Sequence, residues 1–234
     1  MNGRKGPPMC GRYTMAAPTD AMRRLFELGE LPDLEPRYNI APSQLIPAVI
    51  QPQPQQRDFR CFTWGLVPFW AKDPSIGNRL INARGETAAE KPAFRAAMRY
   101  RRCLLPADGF YEWRRTPNGK QPVYVQVDGG ALFAFAGLWE SWESADGEVI
   151  ESAVVLTCRP NEKLKPVHDR MPVILPKDRY AQWLDPNCRD GQQAGQLLQP
   201  FDSQRMQLTD VSRYVNSPAN EGPDCIEPMT GELF

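Results

Sequence analysis

Apolar positions along the chain come in short runs or in alternation, and most runs are bounded by Pro, Gly, Asn or Asp. The pattern predicts strands at residues 45–50, 60–66, 102–105, 109–115, 122–127, 132–140, 152–157 and 171–175. Asn118 and Gly119 mark the centre of a hairpin turn over 116–120. Helical spacing is rarer. It predicts a helix over 20–29, capped by Thr19 with Met22, Leu25 and Phe26 on one face, and another over 92–101 with Pro92 in its first turn. Short helices follow at 180–184 and 192–198, with a single helical turn at 161–164. Polar stretches at 37–43, 51–56, 67–74 and 82–87 read as connections, the third carrying aromatic side chains suited to exposure. The expected fold class is α+β: a β-rich single domain over 10–230, with a twisted, mostly antiparallel sheet or barrel-like core and peripheral helices.

Composition sharpens this picture at three points. Proline accounts for 24 of 234 residues, which argues against a helical bundle and for strands joined by shaped loops. The longest apolar run, 131–138, is strand-sized, so no membrane-spanning helix is expected. Net charge is zero, but residues 1–115 carry +7 and residues 116–234 carry −7. A broadly basic nucleic-acid coat is excluded and a basic cleft is not. The first eight residues, MNGRKGPP, lack the apolar stretch of a secretory signal, and the six cysteines form no CxxC pair. Both features point to a reducing, cytoplasmic compartment with free thiols. With one histidine and no clustered ligands, no metal site is expected. Cys61, Cys103 and Cys158 sit in apolar stretches and are expected in the core, whereas Cys188 and Cys225 fall in polar ones.

Candidate chemistry gathers in four short segments: Cys10 in CGRYT, Asn82 with Arg84 and Glu86 in NARGET, Glu112 in GFYEW, and His168 in KPVHDRMP. A carboxylate among aromatics, as at Glu112, tends to a raised pKa suited to proton transfer; the alternative is a structural pairing with Arg84 or Arg170. His168 reads equally as a surface-loop histidine, yet any imidazole chemistry must pass through it. A cysteine, histidine and acid or amide suggest a thiol hydrolase, although no clear helix follows Cys10 to lower its thiol pKa. Were Cys10 the first residue, its amine and thiol together would suit an aldehyde. The amine forms a Schiff base and the thiol then closes a five-membered ring.

These segments, with PRYNIAPSQ, FTWGLVPFWAKD, LINARGETAAEKPAF, RRCLLPADGFYEW, VVLTCRPN, VHDRMPVIL and VSRYVNSPANEG, resemble the SRAP (SOS response-associated peptidase) family from Cys10 to about Met229. The resemblance implies a sensor of abasic sites in single-stranded DNA and at junctions beside duplex, acting as a monomer without a cofactor and forming a covalent DNA–protein crosslink. It assigns Cys10 as N-terminal nucleophile, Asn82 as orienting amide, Glu112 as acidic partner and His168 as proton carrier. Arg12, Arg84 and Arg170 would contact phosphates, Phe69 and Trp70 would form an aromatic wedge, and Pro42 would belong to the nucleotide-facing rim. Phe69 stands where some relatives have tryptophan. One departure is the eight residues before Met9, since a peptide bond on the Cys10 nitrogen removes its amine. A start at Met9 is the expectation; surplus residues or self-cleavage before Cys10 are the alternatives, the last in keeping with the peptidase in the family's name. Two other functions stay open: a cysteine peptidase acting in trans, and a passive single-stranded DNA-binding module.

Overall fold

Strands dominate the computed structural model, which describes residues 10–229. The expected extension over 1–9 lies outside the described residues. The strands are β1 (Tyr13–Met15), β2 (Arg37–Ile40), β3 (Leu45–Gln53), β4 (Gln56–Trp64), β5 (Asn82–Arg84) and β6 (Arg102–Ala107). They continue as β7 (Gly109–Thr116), β8 (Gly119–Val127), β9 (Phe133–Glu143) and β10 (Val149–Cys158). Three short ones follow: β11 (Met171–Pro172), β12 (Ile174–Leu175) and β13 (Met206–Asp210). The helices α1 (Thr19–Phe26), α2 (Gly85–Ala88), α3 (Arg95–Tyr100), α4 (Tyr180–Leu184) and α5 (Gly191–Gly195) are all short. No helix among the described residues is long and apolar enough to cross a membrane.

Five strands close a barrel. β10 pairs in parallel with β4, and β4–β3, β3–β6, β6–β9 and β9–β10 pair antiparallel, returning to the start. Its interior is close-packed at Gly137 of β9, where a Cβ would sit 2.8 Å from Cys103 Sγ and from Leu105. Beside the barrel lies an open antiparallel sheet, in the order β13-β8-β7-β1-β2. Only Asp108 separates β6 of the barrel from β7 of this sheet. Its carboxylate accepts from Thr14 Oγ1 at 2.5 Å and from Ala16 N–H at 2.7 Å, pinning β1 at the crossing point. Tyr13 packs edge-on against Trp64 and Phe135, with ring centroids 5.4 and 5.8 Å apart, so aromatic packing joins the two layers.

The β-rich α+β architecture is as expected, but several elements differ from the sequence reading. Residues 37–40 form β2 rather than a connection. Asn39 is polar yet buried, because its Nδ2 donates to the carbonyls of Ser217 at 2.9 Å and Asn220 at 2.8 Å. The glutamine-rich stretch extends both strands of the β3–β4 hairpin, and only Pro54 and Gln55 turn. Residues 82–87 hold β5, which pairs with β10, and most of α2. Pro18 precedes α1, and Thr19 is its first helical residue; Thr19 Oγ1 instead accepts the Leu34 N–H at 2.9 Å. Cys61 is exposed, because alternation along β4 turns Phe62 and Trp64 inward and Cys61 out, while Cys225 is buried. The β7–β8 turn centres on Pro117 and Asn118, one residue earlier than expected.

Candidate active site

The register of β1 on β7, Tyr13 opposite Phe110 and Thr14 opposite Gly109, continues as Tyr111 N–H donates to Arg12 O at 3.0 Å. Running the chain back along that register brings Cys10 alongside Glu112. Cys10 has φ of 36°, a left-handed conformation uncommon for a residue with a Cβ, and its N–H donates to Glu112 Oε1 at 2.7 Å. Asn82, carried by β5, donates from Nδ2 to Cys10 O at 3.4 Å. Three of the four expected catalytic residues therefore meet through direct contacts.

Glu112 shares a face of β7 with Phe110, and both are buried. Burial pushes its pKa up to about 8, against the opposing effect of N–H donation from Cys10 and Trp113, and the charge of Asp169 adds to the rise. The side chain is therefore largely a neutral acid at pH 7. The Cys10 thiol is also pushed well above its ordinary value, first by burial and then by Glu112. A buried neutral thiol is the opposite of the low-pKa thiolate used by cysteine hydrolases.

His168 is half-buried and enters through its neighbours. Its Nδ1 faces the Arg170 N–H at 3.1 Å. Asp169 Oδ1 is 2.9 Å from the same nitrogen, a contact that becomes an ion pair only on protonation. Burial lowers the His168 pKa, the Asp169 charge opposes this, and the charges of Arg115 and Lys120 add to the lowering. Arg170 ties the turn down with a two-pronged pair, Nη1 to Glu86 Oε1 and Nη2 to Glu86 Oε2, both at 2.6 Å, and Nη2 also reaches Thr157 O at 2.7 Å. Its hydrogen bonds hold the Glu86 pKa below the usual carboxylate range. The alternative pairing of Glu112 with Arg84 or Arg170 is thus not the one formed: Arg170 holds Glu86, and Glu112 takes the Cys10 N–H.

The remaining sequence candidates divide between groove and interior. Trp70, Asn82, Arg84, Thr87, Lys91 and Pro92 are among the residues lining an open groove of about 610 Å³. Arg84 is exposed, and Phe69 and Trp70 are 56% and 48% exposed, a rare state for such large rings. Their loop leaves the barrel at Gly65, whose φ is +135° and where a Cβ would lie 2.6 Å from Gly77 O; the two backbones can touch only without a side chain. Pro42 is half-buried, in a turn linked to this loop by Ser43 Oγ and Asn78 Oδ1 at 3.2 Å. Arg12 points inward: its Nη1 donates to Asn39 Oδ1 at 2.7 Å and to Val215 O at 2.8 Å, and its guanidinium lies 5.8 Å from the Trp113 ring centre. Lys91 was missed by sequence reading; its place between the NARGET stretch and Pro92 was the available signal. Among the described residues no three His, Cys, Asp or Glu side chains gather where a metal could bind.

A family model described as SOS response associated peptidase (SRAP) matches residues 9–218. The chain is 43% identical over 223 residues to the "Abasic site processing protein YoqW" of Bacillus subtilis (strain 168), covering 94% of this chain and 99% of that protein. It is 30% identical over 270 residues to the "Abasic site processing protein HMCES" of Rattus norvegicus, covering 94% of this chain and 76% of that protein. Among solved structures, a protein from Bacteroides thetaiotaomicron superposes with a TM-score of 0.82 at 26% identity, over 94% of this chain and 99% of that chain.

Proposed function

The chain belongs to the SOS response associated peptidase family, and on that premise we propose that it senses abasic sites in single-stranded DNA and crosslinks itself to them through Cys10. The observation that carries this reading is the 2.7 Å contact between the Cys10 nitrogen and Glu112. It sets an acid–base group on the atom that must attack an aldehyde.

The steps balance with this chain's own groups. Once residues 1–9 are absent, the Cys10 amine adds to C1′ of the ring-opened abasic deoxyribose and gives a carbinolamine. Neutral Glu112 protonates the departing hydroxyl, water leaves and an iminium remains. Cys10 Sγ then adds to C1′, its proton passes to the Glu112 carboxylate, and a thiazolidine results with loss of one water overall. Asn82, bonded to Cys10 O, holds the nucleophile in place. Reversal through the same groups, with water re-entering, would release the DNA with its abasic site intact; lyase activity would instead need β-elimination of the 3′ phosphate from the iminium.

Opening of the closed sugar needs a proton to leave the C1′ hydroxyl and one to reach the ring oxygen; neutral His168 would assist by taking the first on a ring nitrogen and returning it, from the imidazolium, to the ring oxygen. The expected result is that His168→Ala slows reaction with the closed sugar more than with an open-chain aldehyde. Equal slowing in single-turnover assays would remove it from ring opening.

The mature chain is expected to begin at Cys10, because an acylated nitrogen cannot form the iminium. Intact mass of the native protein decides this, and a dominant species retaining Met9 with full crosslinking would sink the mechanism. The high thiol pKa speaks against turnover of unrelated peptides, the competing hydrolase reading.

The groove would take the strand by phosphate contact and stacking rather than base readout. Arg84→Ala and Lys91→Ala should each flatten the log–log salt dependence of binding by about 0.7. Trp70→Ala should weaken binding by ~1–3 kcal/mol if a base stacks on it. Unchanged slopes in folded variants would remove these side chains from the interface. Arg12 and Arg170 are engaged with protein partners, and Arg170 would reach a phosphate only by exchanging Glu86.

A further inference from the structure

The tip of the β7–β8 hairpin carries an arrangement that stability alone does not favour. Arg115 and Lys120 stand directly opposite each other across the two strands, so their side chains share one face. Like charges in that position repel and destabilise the pairing. Both residues are exposed, and among the described residues neither has a hydrogen-bonding or ion-pair partner for its side chain. The adjacent Arg114 faces the other way and is neutralised by Asp210, with Nη2 2.5 Å from Oδ2. Arg213 adds a third cation at the tip, where its Nη2 donates to the Asn118 carbonyl at 3.1 Å.

This cluster lies outside the groove lined by Arg84 and Lys91. It nevertheless belongs to the surroundings of the site, because Arg115 lies on β7 three residues beyond Glu112, about 10 Å along the strand, and the charges of Arg115 and Lys120 both reach His168, where Asp169 is the acid acting in the other direction. The His168 turn is bound on its other flank, through Arg170 and Glu86, to the segment that follows Arg84.

We propose that the hairpin tip is a second phosphate-binding surface, and that Arg115 and Lys120 hold the backbone of the nucleic-acid strand where it continues beyond the nucleotide at Cys10, past His168. The inference rests on the DNA-crosslinking reading above and extends it to a continuous track, groove on one flank and hairpin on the other. A strand that follows this track passes two unpaired cations whose mutual repulsion its phosphates relieve.

The test uses the full chain and its Arg115→Gln, Lys120→Gln double variant, with folding checked by circular dichroism. Binding is measured against salt for single strands carrying a tetrahydrofuran abasic analogue, which has no aldehyde and cannot crosslink. One strand is just long enough to fill the groove; two others are extended on the 5′ or the 3′ side. The expected result is a slope flattened by about 1.4 for one of the extended strands, from two contacts of about 0.7 each, with the short strand unaffected. No change on either extended strand, or equal flattening on the short one, overturns the proposal. Wild-type crosslinking to a short strand with a true abasic aldehyde is run alongside. Its failure would count against the crosslinking reading, separately from the hairpin's part in binding.

Discussion

Cys10→Ala is expected to abolish the heat-stable DNA adduct while leaving affinity for intact single strands unchanged. Alanine at the terminus keeps an amine of ordinary basicity, so the first half of the reaction, attack on C1′ and loss of water, is still open. What it lacks is the sulfur that closes the ring. The variant should therefore stop at an iminium, which hydrolyses on heating but is trapped as a stable amine by borohydride. The binding arm is independent because Cys10 is buried beneath the site and lines none of the groove. A heat-stable adduct formed by C10A at the wild-type rate would refute ring closure through Sγ. Loss of both adduct and binding in a folded variant would show that Cys10 shapes the groove rather than reacts in it.

Glu112→Gln should slow crosslinking by roughly 10²–10⁴-fold, the range over which a positioned acid–base group contributes. Glutamine keeps the size and can still accept the Cys10 N–H, but it has no proton to give the leaving hydroxyl and cannot take one from the thiol. The pH dependence separates this role from mere support. Burial favours the protonated form of Glu112, and that form is lost as pH rises, so any step that needs its proton falls off on the alkaline side. E112Q should lack that alkaline limb. Stability carries the same sign: the fold favours protonated Glu112, so the stability it contributes declines from its ordinary value of 4.5 upward and is lost through about 8. The folded glutamine variant should therefore lose less stability than the wild type between about pH 4.5 and 8 in thermal melts. Wild-type crosslinking rates in folded E112Q, measured at saturating protein, would leave Glu112 as a structural anchor.

The parts of this fold most legible in the sequence were those where burial imposes alternation. Strands β6, β9 and β10 are buried almost throughout, and their apolar runs marked them within a few residues. Strands whose polar side chains find internal partners were not legible. Asn39 looks like a turn residue until the carbonyls of Ser217 and Asn220 are beside it, and β1 is too short for any period to show. The site was legible as chemistry and not as geometry. Cys10, Glu112 and His168 could be singled out by residue type and setting, but the contact of Cys10 with Glu112 depends on one strand register, and the His168 turn is held by the Arg170–Glu86 pair. Arg12 shows the reverse case. Its type suits a phosphate, while its surroundings turn the guanidinium inward onto Asn39 and Val215.

β10 is the strand on which the barrel closes, and it is also the strand to which β5 and β11 attach at its far end. A ring of strands has no edge from which pairing can peel away one strand at a time. Backbone amides along Val154–Thr157 are therefore expected to exchange with deuterium only when the whole domain unfolds, while those of β13, at the rim of the open sheet, exchange through local fraying. Asn82 and Arg84 hang from the slowest-opening unit of the molecule. Once a crosslink forms at Cys10, just ahead of β1 in the open sheet, Asn82 and Arg84 keep their side of the bound strand on the part of the protein expected to yield last.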